Sequence, residues 1–256
     1  MSELRFDRRV AVVTGAGRGL GRAYAALLAA RGASVMVNDI DGDVADQAAR
    51  EMPGARSFPA DVSSPTGAAS LVHAALDTHG RIDIVVANAG TSWPTPFADL
   101  AAADLQAVFA SSVFGTFNVV HAAWPHLVAQ RYGRVVTTSS GAVFGFAGRA
   151  HYAAAKGAVL ALTNTMALEG AAHGVFANSV LPWGMTRLSR PGGGAPDAEL
   201  AAPPVAWLCH EQCEENGQAF VIGGGRVARV TFEAGESKRV HESTPEAYRD
   251  ALRSAE

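Results

Sequence analysis

"VAVVTGAGRGLGRAYAALLAARG", residues 10–32, sets an apolar, β-branched run against four glycines and then against a long alanine- and leucine-rich stretch. The first part reads as a buried strand and the last as a helix near residues 19–31. The glycines fall at 15, 17, 19 and 21, at the turn between the two. A strict G-x-G-x-x-G is not met. The spacing present, through Gly15, Gly19 and Gly21, is G-x-x-x-G-x-G. It meets the same physical demand: a tight turn, close approach of backbone to a pyrophosphate at a helix N-terminus, and close packing of helix on strand. Gly15, Arg18, Gly19, Leu20 and Gly21 are therefore the expected phosphate-side residues of a dinucleotide site.

The alternation continues along the chain. Apolar runs at 34–38, 82–88, 134–139, 176–181 and 219–223 are separated by helical segments near 42–52, up to about 130, 151–172 and 203–213. Strands that alternate with helices and read as continuous apolar runs predict an α/β, Rossmann-type, doubly wound parallel sheet with helices on both faces. One catalytic domain is expected over residues 1–225, with a Gly/Pro-rich, lid-like loop at about 187–204. A polar extension follows over 226–256, containing a hairpin in "RVTFEAGESKRV" and a short helix starting at "TPEAY".

Hydrophobic residues make up 48% of the 256 and charged residues 18%, enough apolar surface for a large core. A net charge of −3 gives no support for a nucleic-acid or anionic-membrane partner. No apolar run of membrane-spanning length is expected. The start "MSELRFDRRVAVV" lacks a signal pattern, and "SAE" at the end is not a peroxisomal address. The two cysteines, Cys209 and Cys213, stand one helical turn apart near His210, and with no second cluster no metal site is expected. A cytoplasmic, reducing setting is the simplest expectation.

The second strand runs into Asp39, 18 residues beyond Gly21, where a carboxylate can accept bonds from the adenosine ribose hydroxyls. The same carboxylate would repel a 2′-phosphate, which predicts NAD as cofactor. Arg18 is the opposing signal, a basic residue in the glycine loop. Asp61, in "PADVSS", is expected at the end of the third strand, beside the adenine. "ANAG", residues 87–90, ends the fourth strand with small side chains at Asn88, Ala89 and Gly90. Tyr152 and Lys156 in "YAAAK" share one helix face. Taken alone, that pair also fits an alanine-rich helix packed closely on a neighbour.

"TGAGRGLG", "DV", "NAG", Ser139 and "YAAAK" occur in an order and spacing that resemble the short-chain dehydrogenase/reductase family, over residues 8–225. The resemblance implies interconversion of a secondary alcohol and a ketone, with Tyr152 as acid/base and Lys156 bonding the nicotinamide ribose. Asp61 and Val62 would contact the adenine side of the cofactor. A free tyrosine titrates near pKa ~10, and a lysine one turn away favours the phenolate. Ser139 would hold the substrate oxygen. Ser140 and Thr138 compete for that role, and the thirteen-residue spacing to Tyr152 favours Ser139.

The sequence departs from the family pattern in two places. Ser112 occupies the position of the asparagine that helps connect the lysine to solvent, and Asn118 lies too far along to replace it. After the sixth strand the chain reads "PWGMT", with Trp183 where glycine is usual and Thr186 four residues after Pro182, one fewer than usual. Pro182 and Thr186 are the expected carboxamide-side contacts. Within the family, "GLGRAYA", "VNDI", "WLCHEQCEENG" and "TPEAY" are similar to the (3R)-hydroxyacyl-CoA dehydrogenase branch. That similarity implies an acyl-CoA or related acyl thioester as substrate, with a hydroxysteroid or other bulky secondary alcohol as the alternative. Pairing of helices 104–124 and 151–172 between subunits, as in relatives, implies a homodimer or homotetramer.

Overall fold

β1 (Val10–Val13) is buried at every residue because the sheet is covered on both faces. Its side chains alternate, as a two-residue period requires. Ala11 and Val13 join one core with Tyr24, Leu28, Val35 and Val37. Val12 joins the opposite core with Met36, Leu71, Val119 and Leu127. The computed structural model describes residues 3–183 and 196–253, apart from 234, 236, 238 and 242.

Around β1 run β2 (Ser34–Val37), β3 (Arg56–Ser57), β4 (Ile84–Ala87), β5 (Gly133–Thr138), β6 (Val175–Pro182), β7 (Ala219–Gly223) and β8 (Arg226–Val230). They form one sheet in the order β3-β2-β1-β4-β5-β6-β7-β8. β1 pairs in parallel with both β2 and β4, so the winding reverses there. In such sheets the crevice at the carboxyl ends of the two strands beside the reversal is the ligand position. α1 (Gly19–Ala30), α2 (Gly42–Arg50) and α7 (Ala202–Cys209) contribute to the first core. α3 (Pro65–His79), α5 (Gly115–Gln130) and α6 (Ala150–Gly170) contribute to the second.

At the amino ends of the strands, the fully buried Asp83 carboxylate accepts from Val10 N at 2.9 Å, Arg9 at 3.1 Å and Arg81 at 2.6 Å. This anchor fixes β1 against β4 at the end opposite the crevice.

Several boundaries differ from the sequence reading. β3 has two residues, and Asp61 stands in the turn four residues after it. Pro59 has no N–H with which to extend the ladder. The helical stretch 102–130 divides into α4 (Ala102–Phe109), a wide turn of π-helix at Ala110–Phe114, and α5. By length and composition that stretch could cross a membrane, contrary to the expectation that no run approached such length. Here its Val108, Val119, Val120, Ala123 and Leu127 are buried in the domain.

α7 ends at Cys209, so Cys213 lies in the following turn rather than one turn along the same helix; both thiols are free and buried. Among the described residues no cluster could hold a metal ion. A hairpin is formed by β7 and β8, with Gly223 paired to Arg226; the one expected at 229–240 includes positions 234, 236 and 238, which lie outside the described residues. The expected domain boundary at 225 therefore falls in a turn of the sheet itself. The extension's helix, α8 (Pro245–Arg253), starts at "TPEAY", with Thr244 Oγ1 accepting from Ala247 N at 3.2 Å.

Candidate active site

The carboxyl ends of β1 and β4 are tied by side chains. Thr14 Oγ1 accepts from the amides of Asn88 and Ala89 at 3.0 and 3.1 Å. Asn88 Nδ2 donates to the carbonyls of Thr14 and Gly15 at 3.1 and 3.3 Å. A Cβ on Gly21 would overlap the Gly15 carbonyl and come within 2.6 Å of Asn88 Nδ2, so only glycine lets α1 start here. Arg18 caps α1, and the first-turn amides of Gly19, Leu20 and Gly21 are donors that a helix cannot pair internally. The Leu20 side chain packs on the core, which leaves its backbone as the group presented to the crevice.

Asp39, two residues past β2, accepts from Gly17 N and from Asp41 N, each at 3.2 Å. Arg18 is ion-paired with Asp41, so its charge is already neutralised beside the glycine loop. Asp61 accepts from Ser63 N at 2.9 Å in a tight turn. That turn is held by Asn118, whose Nδ2 donates to the carbonyls of Val62 and Ser63 at 3.1 and 2.9 Å. Asn38 similarly holds the carbonyls of Phe58 and Ala60, both at 3.1 Å. The sequence reading assigned neither amide this role, and both hold the loops at the adenine end of the crevice.

α6 brings Tyr152 and Lys156 to the end of β5. Lys156 is buried and its Nζ donates to Thr138 O at 2.7 Å, 5.6 Å from the centre of the Tyr152 ring. The expected serine is corrected by one residue. Ser139 is buried and its Oγ donates to Lys156 O at 2.9 Å, so it faces α6. Ser140 lies on the Tyr152 side, where its hydroxyl favours the ionised phenol. The two-residue alternation of β5 explains the exchange. Thr137 bonds Thr163 of α6 at 2.7 Å, and Ser139, two residues on, faces the same helix. Thr138 points the other way, towards Asn88 at 3.4 Å, and Ser140 shares its parity.

With that geometry in place, comparison with known proteins gives a direct result. The profile of the short chain dehydrogenase family matches residues 9–189. The chain belongs to the short-chain dehydrogenase/reductase family, whose enzymes are oxidoreductases acting on CH–OH groups. Peroxisomal multifunctional enzyme type 2 of Mus musculus is 42% identical over 97% of the chain, which spans 37% of that relative's length. A short-chain type dehydrogenase/reductase of Mycobacterium tuberculosis is 40% identical over 88% of the chain and 85% of its own length. The crystal structure of a short chain dehydrogenase from Mycobacterium avium superposes with a TM-score of 0.88 at 30% identity, covering 98% of this chain and 95% of that one.

Within this short-chain dehydrogenase/reductase, Ser112 lies in the π-helical turn, fully buried, with its Oγ unpartnered among the described residues. A Cβ on Gly90 would meet Ser112 Oγ at 3.0 Å and Lys156 Nζ at 3.3 Å, so both side chains border one small space. The Ser112 carbonyl accepts from Thr116 Oγ1 at 2.7 Å, which leaves the hydroxyl as its unpaired group. Pro182 ends β6, and Trp183 N donates to Ile222 O at 2.7 Å. Thr186 and the loop up to 195 lie outside the described residues; the last part of the expected loop, from Ala198, is a short 3-10 turn leading into α7. Sequence reasoning passed over Arg149, whose Nη1 donates to Ser92 Oγ at 2.7 Å beside Tyr152.

Burial raises the Tyr152 phenol above its ordinary value, against the hydrogen bond from Ser140 and the charge of Arg149. Burial lowers Lys156 from 10.5 to about 8. Below pH 8 the folded protein bears the full cost of that buried charge. Between about 8 and 10.5 the folded chain has released a proton that the unfolded chain still holds, so stability rises with pH. At 1.36 kcal/mol per unit, the wild type should gain about 2–3 kcal/mol over Lys156→Met between pH 7 and pH 10 in urea denaturation. A pH-independent difference would mean that the ammonium is solvated.

Proposed function

We propose that this enzyme uses NAD to interconvert a secondary alcohol and a ketone, with Tyr152 exchanging the hydroxyl proton. The observation that carries this reading is the Tyr152 ring set 5.6 Å from the buried Lys156 ammonium at the carboxyl end of the sheet, with Ser140 on the phenol side. The residues present fit a nicotinamide dinucleotide. The glycine turn packs α1 against β1 and Asn88 more closely than a side chain would allow, which leaves the unpaired first-turn amides of α1 at the crevice as donors for a pyrophosphate. The Ser112 hydroxyl, unpartnered among the described residues, and Lys156 border the nicotinamide end. Gly15, Arg18, Gly19, Leu20 and Gly21 would line the phosphates, Asp39 the adenosine ribose, and Asp61 and Val62 the adenine. Asn88, Ala89, Gly90 and Lys156 would line the nicotinamide riboside, with Pro182 beyond it. When bound, the oxidised nicotinamide supplies the hydride acceptor.

In this mechanism Ser140 and Tyr152 hold the substrate oxygen between them, and the ionised Tyr152 oxygen, favoured by the Lys156 charge, takes the alcohol proton and becomes the neutral phenol. Lys156 keeps positive charge beneath the ring, and its remaining N–H donors reach towards Ser112 for onward proton transfer. A hydroxyacyl thioester is the proposed substrate class, supported by similarity that continues through "WLCHEQCEENG" to "TPEAY". A bulky apolar alcohol is the second reading, favoured by the exposed Phe144, which stacks on Phe232 of the extension at 6.0 Å. A homodimer or homotetramer is proposed from Phe114 and Phe117 of the 110–130 stretch and Leu168 of α6, which are 54%, 45% and 81% exposed. Light scattering that reports only monomer at micromolar concentration removes that assembly.

Tyr152→Phe should lower turnover at least ~100-fold while keeping the fold, the scale of losing a general acid/base. Ser140→Ala should lower it more than Ser139→Ala does. The reverse order, measured as kcat/KM on an acyl-CoA, steroid or short alcohol, would restore Ser139 to the substrate side.

NAD should be favoured over NADP by roughly 10- to 1,000-fold in kcat/KM. Two like charges near 4 Å cost ~1 kcal/mol in water and ~4 at an effective dielectric of 20. Arg18, paired to Asp41, is not free to offset that repulsion at Asp39. Asp39→Ala should erode the preference mainly by improving NADP use. Equal use of both cofactors by the wild type would overturn the assignment.

A further inference from the structure

Arg149 precedes α6 by one residue and stands three residues before Tyr152, on the side of the helix start that faces the 91–96 segment. That segment is tied to it twice. Arg149 Nη1 donates to the buried Ser92 Oγ at 2.7 Å, and Thr95 N donates to Gly148 O at 2.9 Å. The guanidinium is half-buried. Other partly buried arginines have carboxylate partners: Arg9 has Asp83 and Glu211, Arg18 has Asp41, and Arg31 has Glu3. The fully buried Arg134 has no carboxylate but gives its donors to the carbonyls of Gly133, Gly174, His210, Glu211 and Cys213, whereas the one hydrogen bond of the Arg149 guanidinium among the described residues is to Ser92. Among the described residues no carboxylate pairs with Arg149.

A guanidinium presents five N–H donors in a fork that matches a carboxylate, and a cation withdrawn from water without an anion is costly. The cost is accepted here beside the reacting group, since the same charge acts on the Tyr152 phenol. Ser92 supplies only a neutral oxygen and fixes the guanidinium's direction. We infer that Arg149, held by Ser92, binds a carboxylate of the substrate close to the reacting carbon, so that the substrate is a secondary alcohol bearing a free carboxylate. This rests on the reading of Tyr152 as the group that exchanges the alcohol proton. On the thioester reading, it is the acyl portion that carries the carboxylate.

The test uses pyruvate, acetoacetate and levulinate, whose carboxylates stand α, β and γ to the ketone, each paired with its methyl ester. Calorimetric titration in the presence of oxidised NAD reads binding without turnover. At least one acid should bind wild type about 10-fold or more tightly than its ester, the scale of one charge-assisted hydrogen bond. Arg149→Met should lose that advantage and leave the ester unchanged, and Arg149→Lys should keep part of it. Where NADH reduces the acid, the loss should fall mainly on KM.

No acid preferred over its ester by the wild type overturns the carboxylate site. Equal weakening of acid and ester in Arg149→Met also overturns it, and an accompanying alkaline shift of the pH profile would make Arg149 a support of the Tyr152 phenolate instead. The underlying dehydrogenase reading fails separately, when the wild type reduces none of these ketones, nor acyl-CoA or steroid ketones, with either cofactor.

Discussion

The Lys156 ammonium is buried with, among the described residues, a single carbonyl for a partner, Thr138 O at 2.7 Å, and much of the site is arranged to make that burial tolerable. Burial of a charge is paid for only where hydrogen bonds and opposing groups are placed with care. β5 ends at Thr138, so its last carbonyl is free to point at the ammonium. Ser139 then bonds Lys156 O and fixes the helix at that level. Gly90 lacks a side chain because Lys156 and Ser112 occupy the space that one would fill. The depressed pKa of Lys156, about 8, is the residual cost of a cation stored where a function requires it.

The carboxyl ends of parallel strands expose carbonyls and amides that no further strand can pair, and side chains close that gap here. Thr14, Asn38, Asn88 and Asn118 each bond two backbone groups across neighbouring loops. The loops that border the crevice are thereby tied to one another by side chains. At the opposite ends Asp83 fastens β1 to β4, so the crevice is held at both ends of those two strands.

The sheet and its order of elements were legible because buried parallel strands are continuous apolar runs, and each is followed by an Ala/Leu-rich helix. Tyr152 and Lys156 were legible because a four-residue spacing on a helix leaves one outcome for their common face. Ser140 was not, because counting back from Tyr152 crosses the loop 141–149, whose length no periodicity fixes. The parity of "TTSS" decides it, and only the packing of Thr137 on α6 shows which parity faces inward. The π-helical turn at Ser112 and the short β3 were hidden for a related reason: a residue more or fewer in a turn changes geometry without changing composition. Arg149 belongs to no motif, and its meaning comes from lacking a carboxylate partner among the described residues.

Ionisation of the Tyr152 phenol tests the central claim most directly, read as the difference in phenolate absorbance between wild type and Tyr152→Phe during a pH titration. In the free protein the phenol should ionise above the ordinary tyrosine value, because burial outweighs Ser140 and Arg149. With oxidised NAD bound, the added positive charge should lower that ionisation by about 1–3 units. A phenol that titrates identically with and without NAD would contradict the assignment of Tyr152 as the proton-exchanging group.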